Sequence, residues 1–128
     1  MNTQKEIRAL VVEKDEQVAE AIQNMLEARH YRVTLLARKE DAIRLLKERH
    51  VSLVVAGEAE DSDSPFHIMK EIVMASPITS MILITDLPKK EVDDKAEGYG
   101  ILGHTGRSVR SKDMMPLLES FEKILRSF

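Results

Sequence analysis

The chain contains no cysteine and no tryptophan, and aromatic residues make up only 4% of it. Without cysteine there is no disulfide framework and no thiolate metal centre, a usage that fits a reducing compartment. Without tryptophan, and with so few other aromatics, there is no series of base-stacking platforms. A basic stripe is also missing: 19 Lys and Arg stand against 22 Asp and Glu, with both signs spread along the chain. Nucleic acid is therefore not the expected partner. No apolar run approaches the ~20 residues that cross a bilayer, so a membrane is not expected either. The opening residues, Met1 to Glu6, are polar and carry no signal core. Residues 1–4 are expected to be disordered, with one soluble, cytoplasmic domain over 5–128. A chain of this length buries about two-thirds of its unfolded surface, which is enough without a staple.

What is present is alternation of two kinds of segment. Ile7 to Val12 is a short apolar run rich in β-branched residues, and Glu13-Lys14-Asp15-Glu16 follows at once. This predicts a buried parallel strand that ends in an acidic loop. Val18, Ile22, Met25 and Leu26 recur at helical spacing, with Asp15 placed to cap their helix. Tyr31 to Ala37 predicts a second strand, and Ala42, Ile43, Leu45 and Leu46 a helix ending near His50. Val51 to Ala56 predicts a third strand, stopped by Gly57. Pro65 stands where a helix can begin, and Phe66, Met69, Ile72 and Val73 form its apolar face until Pro77 breaks it. Met81 to Thr85 predicts a fourth strand and Gly100 to Gly103 a brief fifth. Between them, Lys89 to Glu97 offers only Val92 and Ala96 for burial, which predicts a short, weakly held helix. The last helix has the clearest stripe: Met114, Leu117, Leu118, Phe121, Ile124, Leu125 and Phe128. Ser111 or Asp113 is expected to cap it, with Pro116 in its first turn, where a missing N–H costs little.

The pattern is an α/β fold, a single (βα)5 domain. Strands buried on both faces imply a doubly wound parallel sheet of five strands with right-handed crossovers. The common strand order for this pattern is 2-1-3-4-5, the flavodoxin-like arrangement.

The punctuation at the strand ends resembles the receiver domain of bacterial response regulators (CheY-like), over nearly the whole chain. The residues that carry the likeness are ALVVEKDE, VSLVVAG, MILIT and GILGHT. The family's usual patterns there are LVVDDD, PDLVLLD, PVIxLT and DYLxKP. The resemblance implies a phosphoryl pocket. An aspartate ending strand three takes the phosphoryl group, and an acidic pair after strand one holds Mg²⁺. A Thr or Ser after strand four and a Lys after strand five bind the phosphoryl oxygens.

Carried over residue by residue, that pocket is vestigial here. Gly57 falls at the phospho-acceptor and has no side chain to phosphorylate. Glu58, one residue on, points to the opposite face if the strand continues. Glu13 and Lys14 replace the acidic pair, so an ammonium stands where a hard cation wants oxygen ligands. Asp15 remains as a third acid, and Glu13 with Asp15 is a vestigial metal site offering weak Mg²⁺ affinity at most. Thr85 is intact, His104 falls at the lysine, Thr105 at the following proline and Ile101 at the aromatic switch position. No catalytic residue, cofactor or bound metal is expected. The resemblance implies a pseudo-receiver that acts by protein contact in two-component or phosphorelay signalling, with a second copy of the chain as one candidate partner. The interaction face implied is Ile101, Leu125 and Phe128, near Lys89 and Lys90.

Plainer readings stand beside these. Glu13 is expected as a solvated loop acid. Glu58, Glu60, Asp61 and Asp63 lack EF-hand spacing, which predicts a solvated, mobile loop. His104 is expected in an exposed glycine-rich loop, His30, His50 and His67 have no zinc spacing, and the seven methionines read as core filler. Two rival functions remain: a working receiver using Asp15, Asp61 or another nearby acid, and an anion sensor using Thr85, His104 and Arg107.

Overall fold

The computed structural model describes residues 6–127. In chain order the elements are β1 (Ile7–Val12), α1 (Glu16–Ala28), β2 (Tyr31–Leu36), α2 (Lys39–Glu48), β3 (Leu53–Ala56), α3 (Pro65–Ala75), β4 (Ser80–Ile84), α4 (Lys89–Lys95), β5 (Gly103–Thr105) and α5 (Ser111–Arg126). The strands form one parallel sheet in the order β2-β1-β3-β4-β5, as expected.

Period-2 alternation divides the core into two layers. Ala9, Val11, Leu53, Val55, Ile82 and Ile84 face one side of the sheet and pack against α1 and α5 through Ile22, Leu26, Leu118 and Phe121. Leu10, Val12, Val54, Ala56, Met81 and Leu83 face the other and pack against α2, α3 and α4. The central strands therefore bury side chains on both faces, which is why they read as unbroken apolar runs.

Local side-chain caps place two of the five helix starts. Asp15 caps α1 by accepting from the amides of Gln17 (2.9 Å) and Val18 (3.1 Å). Ser64 caps α3 by accepting from Phe66 N, with Pro65 at the first helical position. Of α4, Val92 and the following Ala96 are buried, matching its sparse apolar content.

Four expectations are corrected. The fifth strand begins at Gly103, not Gly100, because Gly98 and Gly100 adopt positive φ (86° and 67°) in the approach to the sheet. Neither Ser111 nor Asp113 caps α5: Arg110 precedes the helix and makes no side-chain cap. Pro116 lies beyond the first turn, inside α5. It removes the hydrogen bond that the Lys112 carbonyl would otherwise accept. Of the methionines, Met69, Met81 and Met114 are core, whereas Met74 is 85% exposed.

Candidate functional site

The C-terminal ends of β1, β3, β4 and β5 converge where doubly wound sheets place their ligands. The ladder is carried just past the strands: the Gly57 amide donates to Val12 O (3.0 Å) and the Lys14 amide to Glu58 O (2.7 Å). These bonds set residue 13 directly beside residue 57.

Glu13 turns inward. Its side chain is fully buried, against the expectation of a solvated acid. It lies in a fork with Arg107, whose Nη1 donates to Oε1 (2.7 Å) and Nη2 to Oε2 (2.9 Å). The amide of Glu58 also donates to Oε1 (3.1 Å), and the amide of Asp15 to Oε2 (2.9 Å). An ionised carboxylate has about four lone-pair positions, so this one is saturated. Burial of the charge is tolerated because it is paired and fully hydrogen-bonded. The bonds to Glu13 raise the Arg107 guanidinium above its ordinary pKa, against the opposing pull of burial.

The same fork explains the glycine. A Cβ built on Gly57 would stand 2.0 Å from Glu13 Oε1 and 2.8 Å from Arg107 Nη1. The space that a side chain at position 57 needs is occupied by the ion pair.

The remaining positions fall as follows. Lys14 points outward to Asp63 (3.2 Å). Asp15 is spent on the α1 cap. Thr85 is buried and its Oγ1 accepts from the Leu87 amide (3.3 Å). His104, placed at the lysine position by sequence, lies within β5 and is half-buried rather than in an exposed loop. The cation that reaches the pocket is Arg107, three residues further on. Its backbone is fixed as well, since its amide donates to Asp86 Oδ1 (2.8 Å).

The acidic loop is corrected too. Asp61 accepts from the amides of Lys39 (2.7 Å) and Glu40 (3.1 Å) and so supplies the cap that α2 lacks locally. Burial pushes its carboxyl up, but those amides and nearby Arg38 outweigh it and hold it below the ordinary carboxylate value. Ala59 is buried and bridged to Ser62, and the Glu60 amide donates to Ala37 O (2.8 Å), so the loop is tied down.

Mg²⁺ does not fit these residues. Glu13 is saturated, Asp15 caps a helix, and no group of three or more His, Asp or Glu suited to a metal occurs among the described residues. The same holds for His30, His50 and His67, which are all exposed.

The implied interaction face is not assembled as one patch. Ile101 packs on the α2–α3–α4 layer, while Leu125 packs on the α1–α5 layer; Phe128 lies outside the described residues. The exposed large apolar residue of α5 is Ile124, at 43%. Beside β5, an open depression of about 530 Å³ runs between the β4–α4 loop and the start of α5, lined by His104, Lys89 and Lys112 among others.

In the sequence Arg107 stood out only as one residue of a candidate anion site with Thr85 and His104, not as the partner of Glu13. The signal that could have found its role is the paired change at Glu13 and Gly57: a longer acid beside a lost side chain.

No protein-family model matches the chain, and no curated protein matches it. Solved structures do. The signal receiver domain of an HD-domain-containing protein from Pseudomonas fluorescens Pf-5 superposes with a TM-score of 0.82 at 21% identity, covering 99% of this chain and 94% of that one. A CheY-like response-regulator receiver domain protein from Methanospirillum hungatei JF-1 gives 0.80 at 15%, covering 97% and 100%. The non-phosphorylated receiver domain of HemR from Leptospira biflexa gives 0.77 at 22%, covering 91% and 94%. The fold of this chain is that of the receiver domains.

Proposed function

We propose that the chain is an atypical receiver-like module that works by protein contact in two-component or phosphorelay-type signalling, is not an enzyme, and carries no phosphoryl group at the usual position. The observation that supports this is the Glu13 carboxylate standing where a side chain at position 57 would be. Phosphoryl transfer to a carboxylate needs a free nucleophile and unspent positive charge around the transferring group. Here the nucleophile is missing, and Arg107 is neutralised by Glu13.

Asp15, Asp61 and Arg107, which the rival readings use, are engaged in structural roles. Asp15 and Asp61 both cap helices. An anion sensor built on Thr85, His104 and Arg107 would need the guanidinium that Glu13 already holds.

Incubation with a small-molecule phosphodonor and Mg²⁺ tests the reading by intact mass. The expected mass is unchanged. A stoichiometric, hydroxylamine-labile adduct would overturn it.

A further inference from the structure

Val109 has φ of +49° and is buried, 4% exposed. A β-branched residue rarely adopts this left-handed region, where its Cβ crowds the following carbonyl. Such a conformation persists only where its surroundings over-determine it. The surroundings here are specific. The Val109 side chain is held in the α1–α5 layer of the core. Its amide donates to Gly106 O (3.0 Å), closing a tight turn. Two residues earlier, Arg107 is clamped at both ends, by Asp86 on its amide and by Glu13 on its guanidinium. The loop 106–110 is thus drawn toward β1 at one point and into the core at another, with the strained residue beside them.

We propose that the Glu13–Arg107 pair is a latch that holds loop 106–110 in this strained conformation, and that its release reshapes the depression beside β5. Gly106 lies on the loop and lines the depression, and Lys112 and Asp113 in the first turn of α5 line it too. A change at 107–109 therefore moves one wall. With the latch open, Val109 relaxes toward negative φ, where no crowding opposes it. The site end of the sheet then controls the shape of an outer surface through an ion pair rather than a phosphoryl group. This inference deepens the reading above, taking the pocket end of the sheet as regulatory.

The test is solution NMR of the wild-type chain and of Glu13→Gln, a nearly isosteric change that removes the charge. The readouts are the φ of Val109, from three-bond HN–Hα couplings and backbone shifts, and amide exchange across 106–110. Wild type is expected to show Val109 in the left-handed region. In Glu13→Gln, Val109 moves to negative φ and its amide exchanges faster by about tenfold or more. The signals of His104 and Lys112 shift, while β1, β3 and β4 stay protected. If Glu13→Gln does not fold, Arg107→Lys gives the same readouts, because it keeps the charge but loses the two-pronged geometry. A Val109 at negative φ in wild type, or one unchanged when the pair is broken, overturns the latch. A phosphoryl adduct on wild type would overturn the reading above while leaving these readouts intact, so the two fail separately.

Discussion

Gly57 and Glu13 each account for the other. At most exposed, unstrained positions Gly→Ala stabilises by about 0.4–1 kcal/mol, through the unfolded chain. At position 57 the added methyl meets a carboxylate oxygen at 2.0 Å, and that oxygen is tied to two donors, so it cannot simply swing away. Overpacking of this kind costs about 1–3 kcal/mol and outweighs the entropic gain. Gly57→Ala is therefore expected to destabilise the chain in urea unfolding. In a Glu13→Ala background the same change should fall to about 0.5 kcal/mol or less, a large coupling for neighbouring residues. Equal costs in both backgrounds would mean that the ion pair does not fill the site. Gly57→Asp, the change that the family resemblance suggests as a repair, sets a second carboxylate against Glu13 and should be worse than Gly57→Ala. That position 57 carries no side chain was legible in the sequence. The ion pair was not, because Glu13 and Arg107 lie 94 residues apart and no local pattern links an acid after one strand to a base after another.

Among the elements, α5 is held by more than its apolar stripe. Glu122 accepts from Arg29 through both oxygens (2.8 and 2.5 Å) and from the Tyr31 hydroxyl (2.7 Å), so one carboxylate joins α5 to the end of α1 and the start of β2. The hydrogen bonds from Arg29 hold the Glu122 carboxyl below its ordinary 4.5. Burial, with Glu122 beside it, pushes the Tyr31 phenol above its ordinary 10.0. The signs then follow. The Glu122 contribution is complete above its unfolded pKa and is lost as pH falls through the lower folded value. The Tyr31 contribution is complete below 10.0 and is lost as pH rises beyond it. Glu122→Gln should cost about 1.5–3 kcal/mol at neutral pH and should weaken the acid limb of a stability–pH curve. It should not abolish that limb, because the depressed Asp61 carboxyl titrates there as well. An acid limb identical to wild type would show that the tie carries no stability. At the other extreme is α4, with seven residues, no side-chain cap and one buried side chain within it. Its amides should exchange fastest among the helices, and protection equal to that of α5 would contradict this. Periodicity sufficed for elements such as these because it records burial directly. It misplaced β5, because Gly98 and Gly100 turn the chain just before the sheet, and Gly100-Ile101-Leu102 reads as strand whether or not it pairs.

For the whole molecule, the proposed mode of action has a consequence for assembly. A module without a phosphoryl switch has its contacts set by concentration and by partner, not by modification. The sheet leaves β5 as an edge of three residues, where unpaired backbone groups invite association. Next to it, α5 spends Met114, Leu118 and Phe121 on the core and leaves Ile124 in solvent. If the chain pairs with a copy of itself through this face, the contact is isologous and closes as a dimer. Sedimentation across a concentration series should then show one monomer–dimer equilibrium, unchanged by phosphodonor and Mg²⁺. Leu125→Glu would be a poor probe, because Leu125 packs on the α1–α5 layer and its loss would disturb the fold. Ile124→Glu is the clean one: on an exposed site it should alter monomer stability by no more than about 0.5 kcal/mol while shifting the equilibrium toward monomer. A dimer indifferent to Ile124→Glu would place the contact on another face. A strict monomer at every concentration would leave a different protein as the partner that this surface must meet.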